Sequence, residues 1–195
     1  MKLLLHICCA VCACALVERF RAQGMDVIGY FYNPNIHPYQ EFKKRLRAVE
    51  VLAEQEKLDI YYDKTYGLDS FLEGVAPYAH LFTPNSGLLT PNLPRCAKCY
   101  QMRLSKTAQN AKKLKMDTFT STLIISPQQR QELIRQMGEE TAKITGIPFR
   151  YETVTDLYSK SRELAKKRML YRQQYCGCVF SEYERDQMKP QINTD

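Results

Sequence analysis

The chain opens on an apolar run over residues 2–7 that stops at Cys8, short and continuous enough for a buried strand. Ala13, Leu16, Val17 and Phe20 follow at helical spacing, and Gly24 stands where such a helix would stop. Residues 27–32 are rich in β-branched and aromatic side chains and halt at Asn33-Pro34-Asn35, the marks of a second strand. Phe42, Leu46, Val49 and Ala53 then form one apolar stripe on a helix whose other face is charged. Residues 58–63 read as a third strand. The order βαβαβ predicts an α/β fold: an open, mostly parallel, Rossmann-like or PP-loop-like sheet with covering helices.

The pattern breaks over residues 65–95, which hold Pro77, Pro84, Pro91 and Pro94 and little periodicity. A helical turn at 70–75 followed by an irregular, lid-like loop insertion is expected there. Helical spacing resumes from Cys99 through Leu104, Ala108 and Ala111, and residues 117–125 read as another strand. At Ser126-Pro127-Gln128-Gln129, Ser126 can cap a helix, Pro127 suits its first turn and Gln129 completes a capping box. That helix should run to Gly138 or Gly146. Residues 149–154 are a last strand and 159–175 a basic final helix. One domain over 1–190 is expected, with a frayed tail at 191–195.

Composition narrows the class. With 45% hydrophobic and 25% charged residues in 195, the chain is globular and can bury a core. No apolar run approaches the ~18 residues of a spanning helix, and the apolar start is too short for a signal peptide. A cytoplasmic protein without membrane contact is expected. The net charge of +7 is uneven: residues 1–94 carry 9 basic and 10 acidic side chains, residues 95–195 carry 19 and 11. That excess points to a polyanionic partner such as nucleic acid, or to a solvated basic face.

Eight cysteines, Cys8, Cys9, Cys12, Cys14, Cys96, Cys99, Cys176 and Cys178, fall in three clusters. A reducing compartment disfavours structural disulfides, so clustered thiols point to metal binding or redox chemistry. Cys8 and Cys9 should end the first strand and Cys12 open the next helix, where the helix N-terminus stabilises thiolate. Cys96-x-x-Cys99 should also precede a helix and can hold a metal or two corners of a cluster. Cys176-Gly177-Cys178 is too tight for an easy disulfide, and its glycine lets both sulfurs face one site. Cys14 reads as a buried helix cysteine. A single zinc or [4Fe–4S] centre takes at most four thiolates, so seven placed thiols imply two metal centres, or one centre with a redox-active pair.

Other signals are weaker. His6 reads as a packed strand residue and His37 as a turn residue that could also ligate or act as an acid. Tyr30, Tyr32, Tyr171 and Tyr175 flank the cysteine motifs and could stack on a base. Arg162, Lys166, Lys167, Arg168 and Arg172 offer phosphate contacts or a solvated helix face.

The motifs together resemble the QueH-type epoxyqueuosine reductases, a cobalamin-independent family. The matching blocks are His6-x-Cys8-Cys9-Ala10-x-Cys12, the run from Tyr32 to Pro38, Arg95-Cys96-x-x-Cys99-Tyr100-x-x-Arg103-Leu104-x-x-Thr107-Ala108, Thr122-Leu123 with Ser126-Pro127, and the run from Tyr171 to Cys178. They span residues 6 to 178. Val11 replaces a usual proline, Asp156-Leu157-Tyr158 a usual Asp-Phe-Arg, and the acidic residues common before Arg95 are missing; none of these removes a thiol. The resemblance implies reductive deoxygenation of epoxyqueuosine at the tRNA wobble position. It implies an iron–sulfur cluster with an adjacent iron. The expectation is a [4Fe–4S] cluster held mainly by cysteines of the three motifs, with Cys8, Cys9, Cys96, Cys99, Cys176 and Cys178 as cluster candidates, and a second iron held by leftover thiolates and Asp156. The division of Cys8, Cys9, Cys12, Cys96, Cys99, Cys176 and Cys178 between the two is open at this point. Asp156, Tyr32 and His37 are candidates for the acid that protonates the leaving oxygen. The partners expected are the anticodon stem-loop of tRNA and an electron donor such as a ferredoxin or flavodoxin.

The element order is also similar to that of ATP-dependent tRNA-thiolating enzymes. Their phosphate loop needs glycines, whereas no glycine occurs between Met1 and Gln23, so ATP use is not expected. Two rival functions remain at this point: a sulfur-transfer enzyme that carries persulfide on Cys96 and Cys99, and a zinc-stabilised RNA-binding module.

Overall fold

A computed structural model describes residues 1–81 and 93–188. Four strands form one sheet, β1 (Lys2–His6), β2 (Asp26–Phe31), β3 (Ile60–Tyr62) and β4 (Thr118–Ser121), in the order β3-β2-β1-β4. Every pairing is parallel. The central strand β1 buries Leu3, Leu4 and Leu5 completely, because helices cover both faces of a parallel sheet. Each such side chain contributes roughly 1.5–3 kcal/mol on transfer from water.

Seven helices surround the sheet among the described residues: α1 (Ala10–Ala22), α2 (Tyr39–Glu56), α3 (Leu68–Val75), α4 (Leu93–Lys113), α5 (Gln131–Thr145), α6 (Leu157–Lys167) and α7 (Val179–Met188). Small residues on α1 let α6 approach closely. Ser161 on α6 donates from Oγ to the Val11 carbonyl at 2.6 Å and accepts from the Ala15 N–H at 3.0 Å. No helix among the described residues is long and apolar enough to cross a membrane.

The βαβαβ opening stands as its periodicity predicts. Five expectations need correction. The strand expected at 117–125 ends at Ser121, and Thr122–Ile125 turns as a 3-10 helix because the Ser121 side chain accepts the Leu123 N–H. The helix expected from Ser126 begins only at Gln131, whose side chain ties down the Leu123 and Ser126 carbonyls and holds 123–126 in a turn. It ends at Gly146; Gly138 serves close packing instead, since a Cβ there would lie 2.2 Å from the Phe149 ring. Residues 149–154 form no strand but one bridge, Phe119 to Phe149, because the Thr118 and Thr120 hydroxyls bond the Pro148 and Arg150 carbonyls beside it.

The helix expected over 159–175 stops at Lys167. Arg168 turns back to Glu18 and Glu56, and Met169 takes a left-handed conformation at φ 55°. The strap that follows leads into α7, which the periodicity did not announce. Finally, α4 starts at Leu93, so Cys96 and Cys99 lie inside its first turns rather than before it. Of the loop expected at 65–95, residues 68–81 are helical in α3 and a 3-10 segment; residues 82–92 and the tail at 191–195 lie outside the described residues.

Candidate active site and metal centre

β1 is flanked by β2 on one side and by β4, which the chain reaches only after β3, on the other, and the crevice at the carboxyl ends of such a switch point is where open α/β sheets bind ligands. Cys8 sits there. Its N–H donates to Thr122 Oγ1 at 3.1 Å, and that hydroxyl donates back to the Cys8 sulfur at 3.2 Å, which ties the end of β1 to the turn after β4. Cys9 is the N-cap of α1: its sulfur accepts the Cys12 N–H at 3.4 Å and the Gln173 amide at 2.8 Å. The sulfurs of Cys8, Cys9 and Cys12 all lie within 4.8 Å of one another, a set that could hold a metal ion.

Hydrogen bonds from Cys12 and then Cys9 hold the Cys8 thiol well below the ordinary range against the effect of burial, with His6 and Thr122 adding to them. The same bonds to Cys8 and Cys9 hold Cys12 well above it. One sulfur of the three is thus set up as the anion and its neighbours as donors. Metal binding would release those protons.

The other four thiols gather between α4 and the Cys176-Gly177-Cys178 turn. Cys99 packs with Phe71 and Val75, and Cys178 and Phe180 cover that cluster. Burial pushes Cys96 and Cys99 up to about 12, and Cys176 and Cys178 are close enough to raise both further. Gly177 stands at φ 129°, and a Cβ there would lie 3.1 Å from Arg45 Nη1. Cys178 precedes α7 and its sulfur accepts the Ser181 N–H at 3.4 Å, a second thiol at a helix N-terminus. Arg95 ties the two helices together, pairing with Glu184 at 2.9 Å and lying over the Phe180 ring at 4.1 Å.

Two buried arginines stand between these groups. Arg103 reaches the Cys99 carbonyl and sulfur, both at 3.2 Å, and nearby Cys99, Cys176 and Cys8 keep it charged despite burial. Burial and the Arg103 charge drop His6 to about 4, so the imidazole that bonds Ser121 and the Tyr32 carbonyl is neutral. Arg45 pairs with Glu41 at 2.7 Å and donates to the Cys176 and Tyr175 carbonyls, both at 2.9 Å.

Beside the thiols lies a cavity of about 560 Å³, walled by Cys8, Cys12, Cys176, Arg45, Arg103 and Thr122 at its base and by Tyr158, Arg162, Arg172 and four glutamines further out. Gln129 approaches the Cys176 sulfur at 3.6 Å. Buried Gln173 Oε1 has no partner among the described residues, next to the Cys9 sulfur that its amide nitrogen bonds.

The sequence-predicted residues divide around this cavity. Cys8, Cys12 and Cys176 reach its wall, as do Arg162 and Arg172; Asp156, Tyr32 and His37 do not. Asp156 is exposed ahead of α6, and Tyr32 stacks on Tyr30 at 6.2 Å. His37 is buried, bonded through Nδ1 to Tyr66, with Nε2 unpartnered among the described residues. Lys166 and Lys167 are exposed at the end of α6, and Arg168 is taken up by Glu18 and Glu56. Cys14 is buried, donating to the Ala10 carbonyl. Arg45 and Glu41 escaped the sequence reading; an i,i+4 ion pair flanking Phe42 on the apolar side of α2 was the available signal.

An α/β protein whose switch-point crevice is walled by thiols and arginines, beside three cysteines that could hold a metal, has the site of an oxidoreductase. Comparison with known proteins makes that class specific. The chain belongs to the epoxyqueuosine reductase QueH family of oxidoreductases, whose family model matches residues 3–184. Among curated relatives bearing that name, the Dehalococcoides mccartyi protein is 38% identical over 184 residues, covering 94% of each chain. The Thermotoga maritima protein is 31% identical over 194 residues, covering 97% of this chain and 95% of that one. The Staphylococcus epidermidis protein is 30% identical, covering 100% and 82%. A solved structure of the zinc-inhibited teicoplanin deacetylase Orf2 aligns at a TM-score of 0.45 and 14% identity over 77% of this chain and 66% of that one, a distance at which nothing transfers.

Proposed function

We propose that this protein reduces the epoxide of epoxyqueuosine at the wobble position of tRNA to the alkene of queuosine. The overall change adds two electrons and two protons and releases the epoxide oxygen as water. The observation that carries the reading is the Cys8, Cys9 and Cys12 set, close enough to hold a metal, with Cys176 and Arg103 beside it on the wall of one polar cavity.

The donor set fits two anionic metal–thiolate centres. Cys96, Cys99, Cys176 and Cys178 supply the four thiolates of a [4Fe–4S] cluster, and Cys8, Cys9 and Cys12 those of a single iron. Such centres when bound would supply single electrons and a Lewis acid for the epoxide oxygen. Arg103 and Arg45 balance the negative charge of the sulfurs, which apolar surroundings alone would oppose.

The rest of the cavity recognises substrate. Arg162 and Arg172 take phosphates of the anticodon loop, and the Tyr158 ring offers a stacking face to the extruded base. The amides of Gln128, Gln129, Gln173 and Gln174 present donors and acceptors to the heterocycle and its cyclopentane diol. Tyr158 lines the cavity with a phenol that burial raises above its ordinary range, and among the cavity residues it is our candidate to give a proton to the departing oxygen. Asp156, Tyr32 and His37 would need a change of conformation to serve.

The test is nucleoside mass analysis after anaerobic incubation of iron-reconstituted protein, dithionite and epoxyqueuosine-containing tRNA. The expected product has lost one oxygen. Gain of sulfur would select the thiolation enzyme, and no change with stoichiometric zinc would select the RNA-binding module.

A further inference from the structure

The outer face of α2 carries Gln40, Lys43, Lys44, Arg47, Ala48 and Val51 at helical spacing, and with the strap residues Met169, Leu170 and Tyr171 it encloses a second groove of about 620 Å³. Its floor is apolar and its rim basic. Met169 is 92% exposed at the strap's turn, an apolar side chain with nothing over it among the described residues. Lys43 and Lys44 are exposed and lie over the Tyr39 and Tyr171 rings, and among the described residues neither has an acidic partner. Arg47 is paired with Glu50 at 3.5 Å at the far end.

Successive stretches of one strap line this groove and the substrate cavity. Tyr171 faces the groove, while Arg172 through Cys176 face the cavity. Three hydrogen bonds join the two: Tyr171 donates to Glu41 at 2.5 Å, Arg45 binds Glu41 at 2.7 Å, and Arg45 donates to the Cys176 carbonyl at 2.9 Å. A molecule in the groove would therefore rest on the strap that runs on to Cys176 and leave the cavity free for tRNA.

The reduction proposed above consumes two electrons per turnover, and the groups that the chain's thiols would hold must regain those electrons after each one. A reductant has to reach them with substrate in place. We propose that the α2–strap groove docks a small acidic one-electron carrier protein. Each visit oxidises one carrier by one electron, two visits serve one turnover, and the two protons come from solvent through the cavity. A basic rim around an apolar floor suits such a partner, because opposite charge steers a brief encounter and a small apolar contact holds it. RNA fits less well: the phosphate-facing arginines line the substrate cavity instead, and an apolar floor offers a polyanion nothing.

The inference rests on the reductase reading, and the experiment separates the two. Turnover of iron-reconstituted protein is measured with reduced flavodoxin and, separately, with dithionite. The Lys43→Glu, Lys44→Glu, Arg47→Glu variant should raise the KM for flavodoxin by roughly tenfold or more and flatten its salt dependence. Met169→Glu should raise it without changing the salt slope. Dithionite-driven turnover and tRNA affinity should stay as in the parent. Failure of flavodoxin to drive the parent protein, an unchanged KM in both variants, or a loss of tRNA affinity in place of the KM effect would each overturn the docking assignment. Absence of dithionite-driven turnover in the parent would instead strike the reductase reading.

Discussion

Arg103 Nη2 lies 3.2 Å from the Cys99 sulfur, and the same guanidinium walls the cavity into which Cys8 opens. One buried cation thus serves both thiol sets. It comes from the helix that carries Cys96 and Cys99, one turn beyond Cys99, so the positive charge is placed by the same element as the sulfurs it balances.

Replacing Arg103 by Leu should therefore lower the iron bound per chain and destabilise the metal-loaded protein by about 3–5 kcal/mol, the usual effect of leaving a buried charge uncompensated. Arg103→Lys should recover part of the iron but not all, because a point charge cannot bond both the carbonyl and the sulfur of Cys99. Iron and sulfide analysis beside urea unfolding reads both effects. Full iron content in the Leu variant would contradict the role.

The Arg45–Glu41 pair supports the strap. Glu41→Leu strands a buried guanidinium, and a loss of about 3–5 kcal/mol is expected in urea unfolding. Tyr171→Phe removes only the bond to Glu41 and should cost about 1 kcal/mol. Equal losses in the two variants would show that the strap is held elsewhere.

For tRNA binding, Arg162→Ala and Arg172→Ala should each lower the slope of log affinity against log salt by about 0.7–0.9. Lys166→Ala and Lys167→Ala should change it less, since these lysines are exposed at the end of α6 and do not line the cavity. Binding isotherms at several salt concentrations decide the order.

Gly177→Ala must keep a φ of 129° and press on Arg45, so it should cost about 1–3 kcal/mol. Because every thiol remains, loss of iron in this variant would report sulfur placement rather than ligand number. Thermal melting and iron analysis together give the answer.

The sequence was most legible where one periodicity ran without competition. The opening βαβαβ came through because β1 is continuously apolar and α2 has a clean stripe. It misled where side chains, not backbone pattern, decide the outcome. Residues 149–154 alternate like a strand, yet two threonine hydroxyls take up the neighbouring carbonyls and leave a single bridge. Residues 159–175 contain no glycine or proline, so nothing local announced that Arg168 would turn toward Glu18 and Glu56, both distant in the chain. The thiols were legible as a set because their spacing is conspicuous. Their split into three and four was not, since it depends on where α4 and α7 meet. Arg45 was hidden for a related reason: a cation beside an apolar stripe reads as surface until its buried partners are seen.

The thiols that wall this crevice lie at both ends of the sequence. During synthesis the segment around Cys8 emerges long before residues 176–178, and Arg103 arrives in between. Cys8, Cys9 and Cys12 come together within β1 and α1, whereas Cys96 and Cys99 meet Cys176 and Cys178 only once the strap and the turn at Gly177 have been made. Any centre that drew on thiols from both ends of the chain would therefore be completed late in maturation, and the early sulfurs would wait, reduced and uncommitted, for the last ones to arrive.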